Sequence, residues 1–252
     1  MKQLTHYFGQ NIKGKRIVIT GGTTGIGKAT ADVLVALGGQ VLIFGRDPGD
    51  FESAINDIKK QFPEAVLYGT PADVTKKEDI DKIMKIVDDE MGGIDILINN
   101  AALPAPGVTK CSYEDFKYIV DANVMGYIAF CQEAASRMSV QKSGHIINIG
   151  SMSAESREGK STVYVATKSA VRGFTTSLRK ELNPMGIKVS LIEPGAVTSN
   201  MQPGTKEEQH EKIEKLEMLE AEDIAMSIVF CLSQPKRCDI VTMQIRPHLQ
   251  LI

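Results

Sequence analysis

Short apolar runs alternate with longer amphipathic ones along nearly the whole chain. The runs KRIVIT (15–20), VLIF (41–44), AVLYGT (65–70), IDILIN (94–99), HIINIG (145–150), IKVSLIE (187–193) and IVTMQI (240–245) are short and largely β-branched, as strands are. Between them lie helix-like segments: GKATADVLVALG, SAINDIKKQF, EDIDKIMKIVDDEM, a long stretch from about Tyr113 to Met138, another from about Thr162 to Asn183, and one near Glu222–Leu232. Strands that are apolar throughout, and not only at alternate positions, are buried on both faces, which is the condition of a parallel sheet covered by helices. Right-handed crossovers then give an α/β fold: a doubly wound, Rossmann-type parallel sheet of seven strands with helices on both faces.

The rhythm breaks at Ser199–Glu211, where Pro203, Gly204 and several acidic or amide residues predict a surface loop or mobile flap. KIEKLEML follows, and its Ile213, Leu216 and Leu219 would share one side of an amphipathic helix packed on the body. No repeat, low-complexity segment or linker divides the 252 residues, so the expectation is one domain over 1–252 with a substrate flap near 199–216.

Composition mainly excludes. A hydrophobic content of 42% and a charged content of 24% are ordinary for a globular chain, and a net charge of −2 offers no footprint for nucleic acid or an anionic membrane. The four cysteines (Cys111, Cys131, Cys231, Cys238) form no CxxC pair and fit a reduced setting, with Cys111 and Cys131 expected in helix packing. The histidines (His6, His145, His210, His248) are scattered, so no metal is expected. The opening MKQLTHYFGQNIKGK lacks the apolar core of a signal peptide, and no run is long enough to span a bilayer. The expected location is the cytoplasm.

Candidate chemistry begins after the first strand. Thr20-Gly21-Gly22-Thr23-Thr24-Gly25-Ile26-Gly27 leads into a helix, and glycines at 21, 25 and 27 allow a tight turn with backbone close to a ligand. Free N–H groups at the helix start suit a pyrophosphate, although the spacing GxxxGxG differs from the general GxGxxG fingerprint. The second strand ends Phe44-Gly45-Arg46-Asp47. Gly45 cannot hold a ribose 2′-OH as a carboxylate would, whereas Arg46 offers a guanidinium fork for a 2′-phosphate. NADP(H) is therefore the preferred cofactor, and NAD(H) is the open alternative if Asp47 turns inward.

Tyr164 and Lys168, four apart in an expected helix, share a face. A fixed cation beside a phenol favours the phenolate and suits proton transfer to or from an alcohol. Ser151, at the end of HIINIG, faces the crevice where such sheets bind ligands and could hydrogen-bond a substrate oxygen; Ser153 and Ser156 compete with it.

Taken together, these motifs resemble the short-chain dehydrogenase/reductase family over nearly the whole chain. The likeness is carried by Thr20–Gly27, by Asp73 in Ala72-Asp73-Val74, and by Asn99-Asn100-Ala101-Ala102. Asn123 in Asn123-Val124-Met125-Gly126, Ser151, the YxxxK pair and Pro194-Gly195 complete it. The resemblance implies an enzyme with Tyr164 as general acid/base. Lys168 would lower its pKa and hold the nicotinamide ribose, Ser151 would polarise the carbonyl, and Asn123 would hold a relay water. It also implies a cofactor lying along Gly21, Thr23, Thr24, Gly25, Ile26 and Gly27, with adenine near Asp73 and Val74. Asn100, Ala101, Pro194 and Gly195 would flank it, and the carboxamide would meet the backbone around Val197 and Ser199. Two departures stand out: Ala102 where the family has glycine, and Ser199 where it usually has threonine.

The ending EDIAMSIVFCLSQPKRCDIVTMQIRP resembles a group acting on serine and other 3-hydroxy acids and related ketone reductases. The substrate pocket is expected from the residues after Ser151, from Leu103–Gly107 and from the flap. Met152 would line it, while Glu155 and Arg157 could face a charged substrate or only solvent. Small residues Ala166, Ser169, Ala170 and Gly173 on the catalytic helix would permit close helix approach, and the family's habit implies a homotetramer or dimer. Two other readings remain: a non-catalytic NADP-binding sensor on the same fold, and an enzyme that reduces an enoyl thioester.

Overall fold

The computed structural model describes residues 11–199, 201–202 and 204–250. His6 and the rest of residues 1–10, and Pro203 of the expected flap, lie outside them. The strands are β1 (Arg16–Thr20), β2 (Gln40–Phe44), β3 (Leu67–Gly69), β4 (Ile96–Asn99), β5 (Gly144–Ile149), β6 (Ile187–Pro194) and β7 (Thr242–Ile245). They form one seven-stranded sheet in the order β3-β2-β1-β4-β5-β6-β7, with every neighbouring pair parallel. The helices are α1 (Gly25–Ala36), α2 (Pro48–Gln61), α3 (Lys77–Ile86), α4 (Tyr113–Val120), α5 (Gly126–Gln141), α6 (Ser153–Ser156), α7 (Thr162–Leu182), α8 (Lys206–Glu214) and α9 (Ala221–Leu232).

Alternate residues of each strand enter opposite cores, as the pleat requires. Ile17, Ile19, Val41, Ile43, Ile96 and Ile98 pack with α1, α2 and α9, whereas Val18, Leu42, Phe44, Leu97, Ile146 and Val189 pack with α3, α5 and α7. Both faces are therefore covered, and the doubly wound α/β expectation holds. Strand order reverses between β1 and β4, which opens a crevice at the carboxyl ends of the strands.

Four sequence expectations need correction. The long helix expected from Tyr113 to Met138 is two helices joined by a π-turn at Asp121–Met125. One residue is inserted there without losing the helical period of the pattern. The irregular stretch 199–211 is in part helix: Thr205 accepts from the Glu208 N–H while the Glu208 side chain accepts from the Thr205 N–H, a capping box that starts α8. That helix stops at Glu214, so the expected stripe breaks. Leu216 adopts φ 58 and lies exposed, while Leu219 pairs with Val197 in a short parallel bridge. Cys111 sits between a 3-10 turn and α4 and not in a helix, whereas Cys131 is buried in α5. Among the described residues no helix is long and apolar enough to cross a membrane, and no His/Cys/Asp/Glu group could hold a metal.

Candidate active site

The cradle after β1 is made of backbone. Gly21 and Gly25 take φ of 62 and 51, the left-handed region that glycine enters without strain. The Thr20 Oγ1 accepts from the N–H groups of Asn100 and Ala101, each at 2.9 Å, and Asn100 Nδ2 donates to the carbonyls of Thr20 and Gly21. These bonds stitch the end of β4 to the end of β1. Gly27 answers to the same packing: a Cβ there would lie 2.1 Å from the Gly21 carbonyl oxygen and 2.6 Å from Asn100 Nδ2.

Helix α1 then starts at Gly25 with no side-chain cap on its N–H groups and no acidic residue in its first turn. An uncapped, positively polarised helix start at the floor of a cleft suits an anion. The cleft, about 410 Å³, is lined by Gly21, Thr23, Thr24, Gly25 and Ile26, by Arg46, by Asp73 and Val74, by Asn100–Leu103 and by Ser199. That lining suits a dinucleotide.

At the adenosine end the structure explains why position 45 is glycine. A Cβ on Gly45 would approach Thr23 Oγ1 to 2.5 Å, so a side chain there would have to displace that of Thr23. Asp47, the residue that might turn inward, is the N-cap of α2 and accepts from the Asp50 N–H at 2.9 Å. Burial works against the charge on Asp73, but bonds from Thr75 and Tyr118 outweigh it and hold the carboxyl below its usual range.

On the other side of the switch point stand the four catalytic candidates. Ser151 stands two residues beyond β5, its hydroxyl beside the Tyr164 phenol, whose ionised form it favours. The same oxygen accepts from the Ser153 N–H at 3.1 Å, so Ser151 and not Ser153 or Ser156 stands at the phenol. The Ser153 and Ser156 hydroxyls instead donate to Glu158. Lys168 lies one helical turn beyond Tyr164 with its Nζ 5.7 Å from that ring's centroid, and is 2% exposed.

Burial raises the Tyr164 pKa; the Ser151 hydroxyl opposes this only in part, and Glu158 adds repulsion. The Lys168 ammonium donates to the Ile149 carbonyl at 2.8 Å and reaches toward the Tyr127 hydroxyl, while burial pulls its own pKa down to about 7. In this state the phenol keeps its proton at neutral pH.

Asn123 sits in the π-turn, fully buried. Its Oδ1 accepts from the Leu103 N–H at 2.7 Å, and its Nδ2 donates to the Leu103 carbonyl and to Thr167 Oγ1. The side chain thus ties the β4 loop to the catalytic helix. Pro194, Gly195 and Val197 stand outside the lining of this cleft, as do Gly27, Ser151, Tyr164 and Lys168. A Cβ on Gly195 would meet Gln250 Oε1 at 2.2 Å and Pro247 Cδ at 3.0 Å, so a side chain there would displace the Gln250 side chain. Both backbone polar groups of Ser199 are taken up by the Gln209 side chain.

Three residues of the site carried no recognisable signal in the sequence. Tyr118 joins Arg46 to Asp73. Gln209 holds Ser199. Arg172, one turn beyond Lys168, makes a two-pronged pair with Glu193 at 2.7 and 2.8 Å and a third bond to Glu155 at 2.5 Å. Glu155 is therefore bound within the protein.

The comparisons with known proteins agree with this geometry. Residues 15–210 match the model of the short chain dehydrogenase family. An uncharacterized oxidoreductase of Staphylococcus aureus (strain N315) is 34% identical over 234 residues, covering 92% of this chain and 97% of its own. Among solved structures, an alcohol dehydrogenase from the archaeon Thermococcus sibiricus, complexed with 5-hydroxy-NADP, superposes with a TM-score of 0.84 at 23% identity, covering 95% of this chain and 99% of that one. A metagenomic short-chain oxidoreductase in complex with NADP gives 0.81 at 24% identity, with 96% and 100% covered. The chain belongs to the short-chain dehydrogenase family of oxidoreductases.

Proposed function

We propose that this chain is an NADP(H)-preferring oxidoreductase that interconverts a carbonyl and an alcohol on a small molecule, of ketone, aldehyde or 3-hydroxy/3-oxo acid type. The observation that carries the reading is the meeting of the Ser151 hydroxyl and the Tyr164 phenol, with Lys168 buried one turn behind them. A sensor that had given up catalysis would have no need of that pairing.

Gly21–Gly27 and the start of α1 would hold the pyrophosphate, Asp73 and Val74 the adenine, and Arg46 the 2′-phosphate. When bound, the nicotinamide supplies or accepts the hydride. Everything else falls to this chain's side chains. Tyr164, protonated at neutral pH, stands ready as the acid in carbonyl reduction. Ser151, beside the phenol, can turn its proton to a substrate oxygen as negative charge builds there. Lys168 has three donors, so it can keep the Ile149 carbonyl and serve a ribose hydroxyl with another. Asn123 keeps Leu103 and Thr167 in register.

NADP(H) over NAD(H) is supported by the crowding at Gly45, the capping role of Asp47 and the position of Arg46. Two solved structures of this fold hold NADP or its 5-hydroxy form. The segment 199–216 would act as the substrate flap of a single domain, and the protein would work in the cytoplasm as a homotetramer or dimer. The test is NADPH oxidation by the purified protein against aldehydes, ketones, 3-oxo acids and 3-oxoacyl thioesters, with NADH as the second cofactor. Turnover on a carbonyl with NADPH favoured about tenfold or more supports the reading. Equal use of NADH, or binding of NADPH with no turnover on any carbonyl, contradicts it.

A further inference from the structure

Arg46, Tyr118 and Asp73 form one polar chain across the adenosine end of the cleft. Arg46 Nη1 donates to the Tyr118 hydroxyl at 3.0 Å, and that hydroxyl donates its single proton to Asp73 Oδ2 at 2.7 Å. The other Asp73 oxygen is filled by the N–H and hydroxyl of Thr75. The guanidinium also lies 5.8 Å from the centre of the Tyr118 ring, within cation–π range. Three elements meet here that are far apart in the chain: the loop after β2, the loop after β3, and α4.

Two features give this chain a direction. The acceptor that Arg46 finds is a neutral phenol oxygen, so the guanidinium is localised without being neutralised. The nearest acidic residue in sequence, Asp47, is engaged in capping α2. The phenol in turn is anchored by a carboxylate that its neighbours keep ionised, and bonds in such a relay strengthen one another. An exposed arginine ordinarily samples many rotamers, and a ligand that captures it must bear the loss of that freedom. Arg46 is exposed, yet one of its donors is already placed.

We infer that Tyr118 is a specificity-determining residue for the adenosine 2′-phosphate: it holds Arg46 at the rim of the cleft so that the remaining guanidinium donors meet a phosphate. The inference rests on the proposed assignment of Arg46 to that phosphate. Tyr118 itself makes no contact with the reacting atoms and acts through Arg46, as a positioning residue.

The test is calorimetric titration of the full-length protein, wild type, Tyr118→Phe and Arg46→Ala, with adenosine 2′,5′-bisphosphate, 5′-AMP, NADPH and NADH. Melting temperatures of the three proteins are recorded alongside. Tyr118→Phe is expected to weaken the bisphosphate and NADPH about tenfold, to leave 5′-AMP and NADH within about twofold, and to leave the melting temperature unchanged. Arg46→Ala is expected to weaken the same two 2′-phosphate ligands more strongly. A Tyr118→Phe protein that loses all four ligands alike would show a merely structural role and overturn the inference, as would one that binds NADPH unchanged or more tightly. If Arg46→Ala itself spares the 2′-phosphate ligands, the cofactor assignment fails and takes the inference with it. A response to Arg46→Ala without one to Tyr118→Phe overturns the inference alone.

Discussion

The cradle after β1 and the segment after β6 both border the cleft, but they are held by different means. The cradle is backbone against backbone: Thr20, Gly21 and Gly27 are locked to Asn100 and Ala101, with no room for a Cβ at Gly27. The segment after β6 is held by side chains reaching from α8, where Gln209 grips both polar groups of Ser199. One region is built to present a fixed set of N–H groups to a ligand common to many enzymes. The other can change contents, and so substrate, by changing single residues.

This contrast predicts unequal responses to mutation. The largest is expected at Gly27→Ala, where the new methyl meets backbone carbonyl and not a flexible side chain. It should cost about 3 kcal/mol of stability and weaken NADPH more than about 100-fold, measured by urea unfolding and titration. A fold and affinity close to wild type would mean that the cradle is as forgiving as the flap.

Next comes Arg172→Met. It strips the ion-pair partner from Glu193, whose side chain is only 1% exposed, leaves it the Gln244 amide, and frees the catalytic helix from β6. Discounted for the partial exposure of Arg172, the loss is about 2 to 3 kcal/mol, and Glu193→Gln in the same background should recover part of it.

A third test uses a group that belongs to neither region. His145 lies at the opposite end of the sheet, where burial depresses its pKa to about 4 from 6.5. Its folded value is below its unfolded one, so the unfolded chain binds the extra proton as pH falls through 6.5, and stability drops toward pH 4. Between pH 7 and pH 5 this group alone removes about 2 kcal/mol. Urea unfolding at the two pH values should show that loss, and His145→Asn should flatten it. A slope that His145→Asn leaves unchanged would assign the acid lability to the paired carboxylates instead.

The smallest change in stability is expected at Gln209→Ala. About 1 kcal/mol is lost, but the substrate KM rises several-fold while the affinity for NADPH falls little. An equal loss of cofactor and substrate binding would merge the two regions that the structure separates.

The same contrast marks what could be read from the sequence. Continuous apolar strands, the glycine spacing and the Tyr164–Lys168 pair are local patterns, and they led to the sheet, the cradle and the same-face arrangement. β3 shrank to Leu67–Gly69 at the sheet edge, where pairing on one side leaves less reason for extended backbone at Ala65 and Val66. The π-turn at Asp121–Met125 left the apolar period intact and so left no trace. Helix α8 was legible in Thr205-Lys206-Glu207-Glu208, a capping-box signature that the acidic composition of the flap obscured. Tyr118 and Gln209 were beyond reach for a different reason. Each matters through a partner that only the fold brings near, as Asp73 does 45 positions from Tyr118. The charge state of Lys168 was equally hidden, since its burial depends on Tyr127 and Ile149 closing around it.

The most direct test of the central claim is to measure NADPH binding and carbonyl turnover in Tyr164→Phe, on whichever carbonyl the wild-type protein reduces. The account predicts that NADPH affinity stays within about twofold, because the cradle is untouched, while turnover falls about 1,000-fold or more with loss of the proton donor. A Tyr164→Phe protein that turns over at close to the wild-type rate would contradict it.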